Sequence, residues 1–339
     1  MEMSRITSFI SKIFGSQANT NASRHAPLED NPYAEPGLVD ADVSPTSGAY
    51  FPLTYLTDMF KFIDAHSDRL SIMTYNDLAG DSFTDYAQNY ATEFKAWNDK
   101  IKSDPDASKK AHLLFQYDID NRTERMADLL SHPAHDSVPA NIMLFNERID
   151  RRRFKNTGVV ATTDYDIHAD LLRKRQAEGF VIGYHCNAYE LAGHDTDKAM
   201  EIFDRDMTRF QTDFGSRVFS AHGGVPDAKG KNNNGLPYHP DWIGKAIWVH
   251  NGVNLRFHGV FSDGGHNSPK RDPQGRDIRD FFETLQPGKR YRMLLHPQYY
   301  GVDYGVSKRF AGTPWYDRMI WQSRKEPHRS LWDDVTLRF

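Results

Sequence analysis

Two carboxylates stand two residues apart at Asp118-Ile119-Asp120, directly after the apolar run 111–117. On an extended chain, residues i and i+2 face the same way, so both acids point to one side. Like charges that close are costly unless a cation or a shared proton offsets them. The pair suits one carboxylate on a metal and the other as a base; the plainer alternative is a capping role for Asp120 ahead of the next helix. Gly183-Tyr184-His185-Cys186-Asn187-Ala188-Tyr189-Glu190 adds an imidazole, a ligand type suited to a borderline metal such as zinc. Asn187 and Glu190 could touch a metal or a substrate, or cap a local turn. Ser220-Ala221-His222-Gly223-Gly224 sets another imidazole before two glycines, which permit positive φ and close backbone approach. His222 is left open between metal ligand, substrate donor and turn residue. In Leu294-Leu295-His296-Pro297 a histidine is pinned between an apolar run and a proline. Its titration range spans neutral pH, as a general acid requires. Asp263, ahead of Gly264-Gly265, can orient that imidazole and hold its charged form, or simply belong to a turn.

The elements that must position these residues alternate in type. Apolar runs predict strands over 111–117 (ending at Asp118), 141–145, 180–183 (delivering His185), 217–220 (delivering His222), 255–261 (ending at Asp263) and 291–295 (ending at His296). Helical periodicity predicts helices over 53–65, 82–97, 123–130, 166–178 with Gly179 as its stop, 196–213 and 277–285. Alternation of this kind implies an α/β fold with a largely parallel sheet, whose sites gather at the C-terminal ends of strands. All the candidate residues fall at such ends.

The 339 residues suffice for one large domain or two ordinary ones. With 39% hydrophobic and 13% aromatic residues the chain can bury a core and is not a disordered protein. A net charge of −4 gives no support for a general nucleic-acid partner. Arg148, Arg151, Arg152, Arg153 and Lys155 do cluster, either as a solvated loop or as an anion site. Cys186 is the single cysteine, so no intrachain disulfide forms. No apolar run approaches the ~20 residues of a membrane span. The N-terminus lacks the features of a secretion signal, so a cytoplasmic protein is expected. Ile6, Phe9, Ile10, Ile13 and Phe14 share a helical face. This short amphipathic stretch, residues 4–14, either docks on protein or makes peripheral membrane contact. The expected organisation is a mobile N-terminal segment (1–49), a helical extension packed on the core (50–107), a barrel (108–300) and a C-terminal extension (301–339).

Taken in order, these segments resemble the polysaccharide deacetylase family, the NodB-homology domain of carbohydrate esterases. That family's first motif, a strand ending in Asp-Asp or Asp-x-Asp, is matched by Tyr117-Asp118-Ile119-Asp120. Its second, a helix, a glycine and a strand reading roughly Gly-His-Glu-Ile-Gly-x-His, is matched by Glu178-Gly179-Phe180-Val181-Ile182-Gly183-Tyr184-His185. Its last, Leu-x-His, is matched by Leu294-Leu295-His296. The resemblance spans about residues 110–300 and implies a distorted parallel (β/α) barrel. It implies Asp118 as catalytic base, Asp120 and His185 as ligands of a divalent metal ion (zinc is expected), His296 as general acid and Asp263 as its partner. Two departures stand out. Where the family places a second metal histidine the chain has Tyr189, and where it places an Arg-Pro-Pro-Tyr loop the chain has Ser220-Ala221-His222-Gly223. We therefore expect His222 to replace the missing ligand, as in divergent members associated with surface-polysaccharide biosynthesis.

The implied reaction is hydrolysis of an N-acyl group, usually acetyl, from an amino sugar or a glycan precursor. A deformylase or other linear-amide hydrolase on the same fold is the first alternative. A catalytically inactive barrel that binds a glycan or a partner is the second.

Overall fold

The computed structural model describes residues 49–79, 90–237, 239–249, 256–264, 277–307 and 310–339. Its strands are β1 (Phe51–Pro52), β2 (Leu70–Met73), β3 (Ala111–Ile119), β4 (Asn141–Leu144), β5 (Arg148–Ile149), β6 (Thr162–Thr163), β7 (Val181–Cys186), β8 (Val218–Ala221), β9 (Ile247–Val249), β10 (Gly259–Ser262), β11 (Arg290–Leu295) and β12 (Tyr300–Gly301). The main sheet runs β10-β11-β3-β4-β7-β8-β9, with β2 also on β3, and every pairing in it is parallel. The sheet curls into a half-barrel, an α/β architecture compatible with a distorted (β/α) barrel.

β3 organises this sheet. All nine of its residues are buried, as expected of a parallel strand covered on both faces. β11 takes one edge along 112–117, while the other edge is shared in succession by β2 over 111–114 and β4 over 116–119. Asn141, fully buried at the start of β4, bridges that handover. Its amide donates to Phe115 O at 2.7 Å and its Oδ1 accepts from Tyr75 N at 2.8 Å.

The two-residue pleat then sorts side chains. Leu113, Phe115, Tyr117 and Ile119 join the larger apolar core, while Leu114 joins Met143, Val181 and Val218 in a second cluster on the concave side. Gln116 and Asp118 continue the concave row after Leu114, and His185 continues the row of Val181 and Gly183. Gly183 must lack a side chain, because a Cβ there would collide with Met143 Sδ and Val218.

Helices cover the convex face. Thr196–Phe214 buries Ala199, Phe203, Met207 and Phe210; Asp195 caps its start by accepting from Lys198 N at 3.0 Å, and Gly215 ends it at φ +60°. The helix Thr54–Ala65 buries Leu56, Met59, Phe60 and Ile63. The C-terminal segment returns onto it: Trp332 Nε1 donates to Tyr55 O at 2.9 Å and Leu331 N to Asp58 Oδ2 at 3.2 Å.

Several bounds differ from sequence expectation for identifiable reasons. β3 runs past Asp118 because β4 pairs with Asp118 and Ile119. The helix expected from 166 starts at Ala169, since Asp166 Oδ1 accepts from His168 N and His168 sits at φ +53°. The helix expected over 82–97 is described from Tyr90 and runs to Ser103, ending before Asp104-Pro105. Residues 82–89, the 4–14 stretch and Leu255 lie outside the described residues. β2, β9, the pairs β1–β12 and β5–β6 and the helix Pro314–Lys325 had no clear sequence signal.

The strand that ends in His296 is anchored at its other end by a buried ion pair. Arg290, fully buried, makes two 2.6 Å bonds to Glu93 and stacks near Phe94, Trp97 and Phe257. Stripping one partner from such a pair leaves an uncompensated buried charge, at a cost of about 3–5 kcal/mol. Glu93→Ala should therefore lower the urea unfolding midpoint clearly. Lys95→Ala, which removes an exposed pair with Asp99 on the same helix, should leave it unchanged. Equal midpoints for both variants would show that Arg290 does not depend on Glu93.

Candidate metal centre

Three donor atoms converge at the C-terminal ends of β3, β7 and β8. Asp120, His185 and His222 each offer a ligand atom, and these atoms all lie within 4.8 Å of one another. His185 Nε2 is 3.2 Å from Asp120 Oδ1, and His222 Nε2 is 3.7 Å from the same oxygen. Asp118 reaches the group too, with Oδ2 3.8 Å from His185 Nε2. Asp120 caps no helix: Arg122 holds the N-cap of Thr123–Ser131.

Each imidazole is held from behind through its other nitrogen. His185 Nδ1 lies 2.8 Å from Ser220 Oγ, its register partner on β8. His222 Nδ1 lies 3.1 Å from Glu190 Oε2. A carboxylate can only accept, so Nδ1 of His222 carries a hydrogen toward Glu190 and Nε2 is the nitrogen turned to the centre. Outer contacts of this kind orient metal-binding histidines. Phe145 stacks on His185 at 5.1 Å and meets His222 edge-on at 5.0 Å, closing one side.

Glu190 is itself immobilised. Its Oε1 accepts from Val225 N at 2.5 Å, and Asn233 Nδ2 donates to Oε2 at 3.4 Å. It belongs to the support of His222. Asn187 instead donates to Glu147 O at 2.8 Å. Tyr189 is buried with its hydroxyl on Asp227 Oδ2 at 2.9 Å and its ring under Lys231, so it is engaged elsewhere. Cys186 is buried, and burial pushes its thiol up to about 12, which rules out a ready thiolate.

His296 and Asp263 form a separate unit at the ends of β11 and β10. Asp263 accepts His296 Nδ1 at 2.5 Å and His296 N at 2.7 Å, and Tyr300 adds a hydroxyl at 3.2 Å. Burial disfavours a charged His296, but Asp263 outweighs it, with help from Asp120 and Asp118, and the imidazole is pushed up to about 10. Burial likewise opposes ionisation of Asp120, yet the charge of His222, the hydrogen bond from His185 and the charge of His296 hold its carboxyl well below the usual range. For His185 burial is outweighed by Asp118 and Asp120, which raise it.

Nothing local in the sequence marks Ser220 or Tyr165 as a supporting residue of the site. Gln116 Nε2 donates to Asp118 Oδ1 at 2.7 Å and its Oε1 accepts Tyr75 OH at 2.5 Å. Tyr165 OH donates to Ile119 O at 2.5 Å, between the two acids. Only the pleat of β3, two residues upstream of Asp118, hinted at Gln116.

Two imidazole nitrogens and a carboxylate oxygen make a set suited to zinc or a related divalent ion, and the oriented Nε2 atoms fit that use. Metal uptake would displace the proton that His185 shares with Asp120. No protein-family model and no curated protein sequence matches the chain. Among solved structures, a peptidoglycan deacetylase of Bacillus subtilis aligns over 62% of this chain and 82% of that one, at 12% identity and a TM-score of 0.29.

Gly224 offers a direct test of the support behind His222. It adopts φ +62°, and a Cβ there would collide with the Glu190 carboxylate and lie 2.6 Å from Asn233 Nδ2. Gly224→Ala should displace Glu190 and weaken zinc binding by about tenfold or more, measured by competition with a chromogenic chelator. Gly230→Ala, also at positive φ but with nothing near its Cβ, should bind zinc as the wild type does.

Proposed function

We propose that this chain is a metal-dependent hydrolase that removes an N-acyl group, in the first instance acetyl, from an amino sugar or sugar-containing precursor of a surface polysaccharide. The observation that carries this reading is the convergence of His185 Nε2 and His222 Nε2 on Asp120 Oδ1, with Asp118 alongside. The resemblance of the ordered motifs to polysaccharide deacetylases supplies the reaction class.

In this reading Asp120, His185 and His222 hold one divalent ion, zinc being the best match to the donors. Such an ion acidifies a water and polarises the acyl carbonyl. Asp118 is the base: Gln116 occupies its Oδ1 and leaves Oδ2 to accept the proton of water. His296 is the acid. Asp263 takes its Nδ1, so Nε2 donates to the leaving amine, and the ion pair keeps the imidazolium formed until then. Asp263 is a positioning residue that acts through His296. The same geometry would serve a deformylase, and the acid released tells the two apart.

Metal analysis of the full chain should find about one divalent ion per chain. His222→Ala should lose at least about tenfold in metal affinity, whereas Tyr189→Phe should keep it. Asp118→Asn and His296→Gln should retain metal while acetate release from N-acetylated amino-sugar oligomers falls by about 10²–10⁴-fold in kcat. Undiminished metal in His222→Ala would sink the ligand assignment. A chain that holds no metal and hydrolyses nothing with any added divalent ion would sink the enzyme reading in favour of a binding barrel.

The pH dependence has a fixed sign. An acid must be protonated, so activity is present below the pKa of His296 and lost above it. Asp120 and Asp118 contribute to the raised value, and a bound cation offsets their share, which leaves Asp263 as the main cause. Asp263→Asn should therefore move the alkaline limb of kcat to lower pH by about a unit or more. An unmoved limb would remove His296 from the role of acid.

A further inference from the structure

Between β4 and the helix Ala169–Ala177 the chain makes an excursion built from β5, the helix Arg151–Thr157 and β6. It leaves the sheet at the C-terminal end of β4, on the side of the metal centre. The excursion is fastened down: Ile149 and Phe154 pack with Leu191, Ile202 and Val225, and Phe154 meets His194 edge-on at 5.0 Å. Its charge runs against the chain. The whole protein carries −4, yet residues 147–155 hold Arg148, Arg151, Arg152, Arg153 and Lys155 against Glu147 and Asp150 alone.

Neighbouring arginines are paired, Arg205 with Asp206 and Arg209 with Asp213. Among the described residues, no carboxylate oxygen lies within 4.0 Å of the side-chain nitrogens of Arg148, Arg152, Arg153 or Lys155. Arg148 matters most, because it is half-buried and an arginine cannot discharge to relieve that burial. It pairs across β5–β6 with Thr163, two residues before Tyr165, whose hydroxyl is bonded to Ile119 O between the two acids. Arg151 borders the centre from the His222 side. Its Nε is 3.7 Å from Glu190 Oε1, while its side chain stays 48% exposed.

We propose that Arg148 and Arg151 form an anion subsite at the rim of the metal centre, which takes the phosphate of a phosphate-bearing amino sugar. The proposal rests on the deacylase reading and narrows its substrate class. Guanidinium groups suit phosphate because they donate in a fixed fork. Arg152, Arg153 and Lys155 add a field that draws an anion to this side. A neutral glycan would leave Arg148 without a counter-charge.

The test is calorimetric titration of inorganic pyrophosphate into the full chain at low salt. Wild type should bind, and more weakly as salt rises. Arg148→Gln/Arg151→Gln, checked for an unchanged thermal unfolding profile, should bind at least about tenfold more weakly. Lys95→Gln/Lys102→Gln, which removes the same charge from a distant helix, should bind as wild type. Asp120→Asn separates the two claims. If it loses metal but still binds pyrophosphate, both readings stand. If it keeps its metal, the ligand assignment fails while the anion subsite survives. If pyrophosphate binding vanishes with the metal and persists in the arginine variant, the subsite is overturned, as it is by absence of binding. Competition then identifies the source of the phosphate. Displacement by a nucleoside-diphosphate N-acetylhexosamine points to a soluble sugar nucleotide. Arginine-dependent sedimentation with phosphatidylcholine vesicles containing a polyprenyl-diphosphate N-acetylhexosamine points to a lipid-linked sugar. Failure of both sources overturns the substrate class.

Discussion

Asp118 and Asp120 stand side by side at the end of β3, largely shut off from water, and their charge must be met from inside the protein. Buried like charges are costly without partners, and the surroundings are arranged around that demand. His185 reaches both acids, His222 reaches Asp120, and Gln116 donates to Asp118. Each of these groups then needs partners of its own, because a half-satisfied polar network in a low-dielectric interior is worse than none. Ser220 and Glu190 hold the imidazoles, Tyr75 holds Gln116, and Asn233 with Val225 N holds Glu190.

The requirement spreads outward into the backbone. The loop after β8 passes so close to Glu190 that Gly224 has no room for a side chain. Tyr165 ties Ile119 O, between the acids, to the chain that follows the basic excursion. On the other side of the sheet, β10 and β11 bring up Asp263 and His296 as a preformed ion pair, braced by Tyr300. β11 is fixed at its far end by Arg290 and Glu93. The polar row on the concave face is thus held at the top by the site and at the bottom by a second buried charge pair. Apolar packing on the convex face supplies the bulk of the burial.

The basic excursion stands outside this closed network. Its cations are not consumed by the acids of the centre, apart from the contact of Arg151 with Glu190. Charge left over beside a site, on a segment anchored by Ile149 and Phe154, is where a charged ligand has the most to offer.

Residue types and local patterns alone mark the groups capable of chemistry and the kind of element that carries each one. Apolar runs marked β3, β4, β7, β8 and β11, because a strand buried on both faces must be apolar nearly throughout, and Asp118, His185, His222 and His296 stood out at their ends. The i, i+2 spacing was enough to turn Asp118 and Asp120 to one side. What those strand ends meet follows from the packing of the sheet and its loops. Ser220 faces His185 through the register of β7 and β8, and Glu190 faces His222 because the loop around Gly224 folds back over it. The short strand β2, Leu70-Ser71-Ile72-Met73, shows no clear alternation; it exists because the edge of β3 is free over 111–114 before β4 arrives. The contacts of Ser220 with His185 and of Glu190 with His222 cross 35 and 32 residues of sequence and leave no local mark at either partner. The spacing of polar residues along a strand is local and can be read directly, whereas their convergence is a property of the packed sheet.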